Sequence, residues 1–414
     1  MDGITDDITI TDNAKVVVNV LTSDYGAGIG SASKHPTYES GVGNITIGGK
    51  SQVTVNADKS SWSVGIGAGR DNQAGNITIQ DEAVVKSFSS GEGAAIGTES
   101  GFVGNIIIKD KAQVEASSGS LGTAIGAGRG GEIKDIIIQN EANIHTTSQE
   151  TGVGIGAGYD GVVNDIIIKD KAQIVTSGTE NNTGIGTRYG KVHDIIIGGY
   201  TQIIANVNGQ GTGIGASYGG GMNDIIIRDH ADIDVAVTGD GSGIGIGKGF
   251  VNEMGNITIQ DYANVHVTTS GSSAGIGAGG SSTAGDITIK DYSKIEVITE
   301  KGGTAIGAGS RGKVGNITIQ DHAQVTANCT GTGTGTGTGI GTNTWGKIGD
   351  ILIKDYTTVN VTGGNNAAGI GIGYGYESSS NITITDNAVV TATGGQNAAG
   401  IGTALGGKIE GTIS

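Results

Sequence analysis

The most regular feature of the chain is a short alternation of polar and apolar residues, Asn/Asp-Ile-Thr/Ile-Ile, that recurs along its whole length. The first Ile of this element stands at positions 8, 45, 77, 106, 136, 166, 195, 225, 257, 287, 317, 351 and 382. These thirteen copies are spaced by about 31 residues on average, which is typical of solenoid repeats. Because the apolar residues share one parity, the element predicts a β-strand with one buried face.

Each copy carries two further apolar anchors. A Val or Ile lies eight residues after the first Ile in every copy, as in Val16 and Val390. The third anchor is the Ile of a Gly/Ala-Ile-Gly triplet, at positions 29, 66, 96, 125, 155, 185, 214, 244, 276, 306, 340, 370 and 401. The second and third anchors are 11 residues apart in ten copies, 13 in two and 15 in one, so we expect insertions at defined corners.

A single repeat of this kind is too small to fold alone. Burial of its four or five apolar side chains yields about 6 to 12 kcal/mol, whereas ordering its backbone costs on the order of 30 to 60 kcal/mol. The strands must therefore pair with equivalent strands of neighbouring repeats. The sequence predicts an all-β fold, a three-sided parallel β-solenoid of about 13 coils, continuous over residues 1–414. Because neither end has an evident cap, we expect a segment of a longer protein.

The residues at two corners suggest how the coils turn. The second residue after each Ile-x-Ile is Asp in ten copies, Asn in one and Gly in two, and all three tolerate the left-handed conformation. We therefore interpret these Asp residues as turn formers and not as calcium ligands. The residue before each first strand is only Asp or Asn, which predicts a hydrogen bond stacked from coil to coil. We favour that role over glycosylation for the five Asn-Ile-Thr sequons, at positions 44, 76, 256, 316 and 381.

Composition narrows the classes of function. The 414 residues include 81 Gly, 1 Pro and 16 aromatic residues, which suits neither collagen nor an ordinary globular enzyme. The net charge of -16 disfavours nucleic acid and anionic membranes as partners. No apolar run predicts direct membrane insertion, and no signal peptide is evident in the chain. Cys329 is the single cysteine, no Cys/His cluster has zinc-ligand spacing, and we expect neither a metal nor a cofactor.

The glycine-rich motifs resemble a known group of proteins. Gly-Ala-Gly-Ile-Gly at 26–30, Val-Gly-Ile-Gly-Ala-Gly at 64–69 and Gly-Asn-Ile-Thr-Ile at 75–79 are similar to the glycine-rich repeats of large bacterial surface proteins. The wider group includes parallel β-helix adhesins and pectate-lyase-like proteins. The resemblance implies an extracellular or cell-surface location, with glycans or host surface proteins as partners. Such folds serve as stalks, adhesins, phage fibres and polysaccharide-active enzymes, so the resemblance implies architecture more than activity.

A solenoid displays its outward residues in columns, and three columns are candidates for binding. The middle residue of the first strand is apolar in five successive coils and predicts a partner-contact stripe of Ile107, Ile137, Ile167, Ile196 and Ile226. The column after the Asp turn alternates in charge and then becomes aromatic, in the order Lys50, Glu82, Lys111, Glu141, Lys171, Tyr200, His230, Tyr262, Tyr292, His322 and Tyr356. The column four residues after the third anchor contains Arg70, Arg129, Tyr159, Tyr189, Tyr218, Lys248 and Tyr374.

These columns lead to three alternative functions. The first is a non-enzymatic extracellular rod, structural and adhesive, whose side faces bind glycans through Tyr159, Tyr189, Tyr218, Tyr200, Tyr262, Tyr292 and Tyr356. The second is a polysaccharide lyase or hydrolase of the β-helix type, although no local departure from the repeat assembles a nucleophile, a base and an oxyanion donor. The third is a pure scaffold in which the Ile stripe mediates self-association. Ladder packing without any ligand also explains each column.

Overall fold

The computed structural model describes residues 3–21, 26–32, 40–58, 62–239, 241–330, 337–373, 376–378, 380–404, 406–409 and 411–414. The chain divides into two compact units, Met1–Ile203 and Ile204–Ser414. Within the described ranges the regular structure consists of β-strands, and none of it is a helix long and apolar enough to cross a membrane. Each unit contains three kinds of strand, and we name the corresponding sheets the isoleucine, valine and glycine sheets.

The first unit repeats the three strands in chain order. Its isoleucine sheet contains Ile8–Ile10, Ile45–Ile47, Ile77–Ile79, Ile106–Ile108, Glu132–Ile138, Val162–Ile168 and Lys191–Ile197. Its valine sheet contains Lys15–Asn19, Gln52–Ala57, Val84–Ser89, Gln113–Ser120, Asn143–Gln149 and Gln173–Gly178. Its glycine sheet contains Ala27–Ser31, Val64–Ala68, Ala94–Thr98, Thr123–Ala127, Val153–Ala157 and Thr183–Thr187. Short strands precede the isoleucine strands in four coils, at Gly3–Thr5, Ser40–Val42, Gln73–Ala74 and Phe102–Val103.

The second unit follows the same plan, and the strand Gln202–Asn208 spans the boundary between the units. Its isoleucine sheet contains Ile225–Ile227, Ile257–Ile259, Ile287–Ile289, Ile317–Ile319, Ile351–Ile353 and Ile382–Ile384. Its valine sheet contains Asp232–Thr238, Asn264–Thr269, Lys294–Thr299, Gln324–Cys329, Thr358–Thr362 and Val389–Thr393. Its glycine sheet contains Thr212–Ala216, Ile244–Lys248, Ala274–Ala278, Thr304–Ala308, Ile340–Thr342, Ile370–Ile372 and Ile401–Thr403. Its short strands are Gly221–Met222, Thr283–Ala284, Lys313–Val314, Lys347–Ile348, Tyr376–Ser378 and Gly407–Ile409.

Equivalent strands of successive coils pair in parallel and in register. In the first unit Ile77 lies between Ile45 and Ile106, and in the second Ile287 lies between Ile257 and Ile317. All of these anchors are fully buried, so the core of each unit is a ladder of like side chains. The predicted all-β parallel β-solenoid with three main sheets is confirmed, with about 12 coils. Its continuity over residues 1–414 stays a prediction.

The turn after the isoleucine sheet confirms the role assigned to its Asp residues. All thirteen residues at this corner have a positive φ, between 51° and 72°. Their carboxylates also accept backbone hydrogen bonds from the preceding coil, because Asp81 Oδ2 lies 2.8 Å from the Gly49 nitrogen and Asp170 Oδ2 lies 3.2 Å from the Asn140 nitrogen. An Asp here therefore stabilises the turn twice, by its tolerance of the left-handed conformation and by its acceptor oxygens.

The corner before the isoleucine sheet confirms the predicted stacked hydrogen bond. Asn44 Oδ1 accepts the N–H of Asn76 at 2.9 Å, and Asn76 Oδ1 accepts the N–H of Asn105 at 2.8 Å. In the second unit Asp286 Oδ1 accepts the N–H of Asn316 at 2.7 Å. Asn and Asp exchange freely at this corner because each presents the same Oδ1 acceptor.

The glycine sheet requires the Gly that follows each anchor Ile. Gly126 has a φ of +142°, and a Cβ atom there would lie 1.9 Å from the carbonyl oxygen of Gly156 in the next coil. A side chain is excluded both by this backbone conformation and by the close approach of the coils.

One predicted anchor is wrong. Ile246, and not Ile244, pairs with Ile214 and with Ile276. The segment Gly243–Gly247 reads Gly-Ile-Gly-Ile-Gly, so the triplet occurs twice in succession and the sequence offers two registers. The structure adopts the second, which places two extra residues before the strand. Lys248 consequently takes a core position that Ala216 and Ala278 occupy in adjacent coils.

Candidate ligand-binding surfaces

The predicted isoleucine stripe faces outward as expected. In the first unit Ile137, Ile167 and Ile196 lie in register on adjacent strands, and Ile107 pairs with Ile137. Each side chain is half-buried between fully buried neighbours, and Ile226 in the second unit shows the same alternation. The outward orientation is therefore confirmed, and contact with a partner stays a prediction.

The charged part of the column after the Asp turn forms ion pairs between coils. Lys50 Nζ lies 3.5 Å from Glu82, and Lys111 Nζ lies 4.0 Å from Glu141. An open groove of about 560 Å³ runs along these residues, lined by Asp81, Glu82, Asp110, Lys111, Asn140, Glu141, Asp170 and Lys171. The alternating charges largely neutralise one another, which supports a structural role for this part of the column.

The aromatic part of the same column forms a continuous stack in the second unit. We call His230, Tyr262, Tyr292, His322 and Tyr356 the ring ladder. Its ring centroids are 5.0 to 5.4 Å apart, and successive ring planes lie within 28° of parallel. The stack persists although His322 and Tyr356 themselves adopt left-handed φ values of 69° and 61°, which are unfavourable for bulky residues.

Stacking changes what the ring ladder can bind. A sugar held between two rings needs about 7 to 8 Å between the ring planes, because each carbon contact requires 3.5 to 4 Å. The internal spacing of 5.0 to 5.4 Å leaves no such room. Tyr262, Tyr292 and Tyr356 are nevertheless 54 to 61% exposed, and Tyr200 in the first unit is exposed as well. The spacing therefore excludes a sugar between the rings of the ladder, and binding of a ligand to the exposed parts of these tyrosines stays a prediction.

The third column produces a different arrangement in the first unit. We call Trp62, Arg129, Tyr159, Arg188 and Tyr189 the arginine–aromatic cluster. The Arg129 guanidinium carbon lies 5.1 Å from the Trp62 ring centroid and 5.6 Å from that of Tyr159. The Arg188 guanidinium carbon lies 5.3 Å from the Tyr189 ring centroid. The ring centroids of Tyr159 and Tyr189 are 5.5 Å apart, and the ring planes are tilted by 46°. This spacing leaves no room for a sugar between the rings here either, but the tilt of 46° prevents the two rings from covering one another completely.

Charge fixes the position of the central guanidinium. Arg129 Nη1 donates a hydrogen bond of 2.7 Å to the Glu92 carboxylate, and this bond raises the pKa of Arg129 above its usual value. Nearby, burial raises the pKa of the Glu99 carboxyl. The cluster thus combines apolar rings with the charged donor Arg129 beside the Glu92 carboxylate, whereas Arg188 is buried. Apolar rings with a few placed polar groups are typical of ligand sites.

The remaining positions of the third column lie in the second unit, apart from Arg70, an exposed residue of the first. Tyr218 stacks on Phe250, with ring centroids 5.0 Å apart and an interplanar angle of 20°. Phe250 takes the position predicted for Lys248, since the register is shifted by two residues. Lys248 is fully buried instead, and its amine donates to the carbonyl oxygens of Ser217 at 2.8 Å and Gly220 at 2.6 Å. Tyr374 lies outside the described residues.

Among the described residues of the first unit, one cluster of possible metal ligands occurs. Asp165, His193 and Asp194 each offer one ligand atom, and these three atoms lie within 4.8 Å of one another. The spacing of residues along the sequence does not reveal this cluster, because Asp165 lies in one coil and His193 and Asp194 lie in the next. A signal was nevertheless present, since His193 stands at a position where seven other copies carry Gly.

Other contributors were missed for a similar reason. Trp62 lies in an insertion before the glycine sheet, and Glu92 lies before a different strand of that sheet, so neither belongs to a repeated column. The contacts of both residues with Arg129 become evident only when the coils are stacked.

Comparisons of the chain with protein-family models, curated proteins and solved structures yield no match. The class that the fold defines is that of parallel β-solenoid repeat proteins, which includes both structural proteins and enzymes.

Proposed function

We propose that this protein is a non-enzymatic, extracellular structural and adhesive β-solenoid that binds glycans at the arginine–aromatic cluster. The observation that carries the proposal is the guanidinium of Arg129 over the rings of both Trp62 and Tyr159, beside the tilted ring of Tyr189. Aromatic rings contact the apolar faces of sugars, while guanidinium donors bond their hydroxyls.

The surroundings of the cluster support this assignment. Tyr159 is 40% exposed and Trp62 is half-buried, so part of each ring is accessible to a ligand. The glycine sheet beneath them is completely buried and stacked in register, as at Ile125 and Ile155. A rigid base of this kind reduces the entropy that a binding site loses when its ligand is bound.

Affinity electrophoresis through soluble β-glucan, xylan, mannan and polygalacturonate tests the proposal. We expect at least one polysaccharide to retard the wild-type protein and to retard Tyr159→Ala/Tyr189→Ala about tenfold less. Ile107→Thr is the matched control, because Thr occupies the equivalent position in seven copies. Equal retardation of the wild type and the double variant would contradict the proposal.

The same incubations discriminate between the proposal and the enzymatic alternative. A lyase or hydrolase of the β-helix type generates unsaturated products or new reducing ends. We expect neither from the wild-type protein, and either product would reject the non-enzymatic assignment.

Self-association is a second candidate function. Ile107, Ile137, Ile167 and Ile196 form an in-register apolar column on the first unit. If this column joins two copies, then Ile137→Thr/Ile167→Thr lowers the sedimentation coefficient to that of the monomer. An unchanged coefficient excludes the role.

A further inference from the structure

The corner before the isoleucine sheet departs from the repeat in three adjacent coils of the first unit. Most copies carry Gly there, as at Gly104, where a Cβ atom would lie 2.6 Å from Asn76 Oδ1. Lys134, Asn164 and His193 replace this Gly, and in their coils the backbone continues as one long strand. All three side chains are exposed on the outside of that strand.

His193 lies against two carboxylates. Its Nδ1 is 3.1 Å from Asp165 Oδ1 and 3.3 Å from Asp194 Oδ2. The stacked corner hydrogen bond holds the first carboxylate in place, since Asp165 Oδ1 also accepts the N–H of Asp194 at 3.2 Å. The side chains of both aspartates are mostly buried, at 24% and 20% exposed, while that of His193 is 58% exposed. The corner therefore presents three ligand atoms within 4.8 Å of one another on an in-register backbone, and the exposed imidazole leaves them accessible to solvent.

From this geometry we propose that Asp165, His193 and Asp194 bind a divalent first-row transition-metal ion such as Zn²⁺. Metal–ligand bonds of about 2.0 to 2.2 Å place neighbouring ligand atoms roughly 3.0 to 3.5 Å apart, and the nitrogen–oxygen distances at His193 agree with this separation. A neutral imidazole nitrogen favours Zn²⁺ over Ca²⁺ and Mg²⁺, which prefer oxygen ligands. Three protein ligands leave a coordination position for water.

The preceding coil provides a natural comparison. Asn164 stands at the position equivalent to His193, and its Nδ2 donates a hydrogen bond of 2.9 Å to Asp135 Oδ1. The carboxylates Asp135 and Asp165 pair in register as Asp165 and Asp194 do. The coil with Asn164 has the same backbone and the same acidic residues but no imidazole, so it lacks a nitrogen ligand.

Isothermal titration of the untagged full chain with ZnCl₂ tests the proposal. His193→Asn reproduces the arrangement of the preceding coil, so we expect it to fold and to bind Zn²⁺ at this site at least about tenfold more weakly. Asp165→Asn keeps the Oδ1 acceptor that Asn supplies at this corner in other coils, but it removes the negative charge that the metal requires. We therefore expect this variant also to bind Zn²⁺ more weakly. His145→Asn, at another exposed histidine of the first unit, is the control and leaves the affinity unchanged.

Two further measurements complete the test. Zn²⁺ raises the melting temperature of the wild type but not that of His193→Asn, because a ligand that binds only the folded state stabilises it. CaCl₂ gives no comparable shift. Absence of Zn²⁺ binding by the wild type at millimolar concentration, equal affinity in His193→Asn, or equal affinity for Ca²⁺ would overturn the proposal.

Discussion

The arginine–aromatic cluster of the first unit and the ring ladder of the second use similar residues in opposite ways. In the ladder, rings at equivalent positions of successive coils stack at 5.0 to 5.4 Å and cover one another's faces. In the cluster, the Arg129 guanidinium lies over the rings of both Trp62 and Tyr159, and the Tyr189 ring is tilted by 46° from that of Tyr159. Repetition of aromatic residues in one column of a solenoid thus favours packing of the rings against one another. Interruption of the column by another residue type leaves ring faces and polar groups that a ligand can contact.

The largest predicted effect concerns Lys248, a buried lysine of the second unit. Burial lowers the pKa of its amine to about 7, whereas the unfolded chain takes up this proton below about pH 10.4. Between these values the unfolded state binds more protons, so the free energy of unfolding rises with pH across this window, by on the order of 4 kcal/mol. Below about pH 7 this gain is absent.

Lys248→Met tests this prediction by chemical denaturation at several pH values. The variant keeps the apolar volume of the side chain but has no titrating group, so we expect a flatter profile between pH 7 and 10. Lys294→Met, at an exposed lysine of the same unit, retains the wild-type slope. Parallel profiles for the wild type and Lys248→Met would show that the amine does not titrate in this range.

The next largest effect is expected for Tyr292, in the middle of the ring ladder. Tyr292→Ala removes two stacking contacts, each worth about 0.5 to 1.5 kcal/mol beyond the burial of area, and so lowers the free energy of unfolding by about 1 to 3 kcal/mol. Tyr292→Phe retains the stack and should match the wild type. Urea denaturation measures both, and equal losses in the two variants would assign the effect to the hydroxyl and not to stacking.

A smaller effect is expected for Arg129→Lys. Lysine keeps the charge but not the planar guanidinium that lies between two rings. We expect a loss of about 0.5 to 1 kcal/mol in stability and several-fold weaker retardation by polysaccharide. Arg70→Lys, at an exposed arginine of the same column, is the control. If Arg129→Lys behaves as the wild type in both assays, charge alone accounts for the role of Arg129.

The smallest effect is expected where the column consists of alternating charges. Lys111→Gln removes an ion pair 4.0 Å long between side chains that are 68% and 53% exposed. Exposed pairs contribute from nothing measurable to about 1 kcal/mol. Because this pair is long and exposed on both sides, we expect a change in the lower half of that range, below about 0.5 kcal/mol. A larger loss, measured by urea denaturation, would show that the charge ladder holds the coils together.

The architecture could be predicted because it depends on residues that recur. The anchors and the corner Asp and Asn residues repeat with the coil, so their burial and hydrogen bonds follow from one repeat. The register at Ile246 could not be predicted, because both Ile244 and Ile246 satisfy the same triplet. That choice also moved Lys248 into the core and Phe250 into the outer column.

The candidate sites were predictable only in part. The alignment of Tyr262 with Tyr292 followed from the repeat, whereas the loss of accessible ring faces required the observed spacing. Trp62, Glu92 and His193 are departures from the repeat, and their partners lie in other coils. Such contacts depend on insertions and on individual side-chain directions, which periodicity does not specify.

The most direct test of the account compares two matched double variants for binding to the polysaccharide that retards the wild type most strongly. Tyr159→Ala/Tyr189→Ala removes rings of the arginine–aromatic cluster, and Tyr262→Ala/Tyr292→Ala removes rings of the ring ladder. We predict an affinity at least about tenfold weaker for the first, a loss of about 1.4 kcal/mol, and an unchanged affinity for the second. The reverse result, with loss of binding only in the ladder variant, would contradict the claim that stacked rings are unavailable to a ligand.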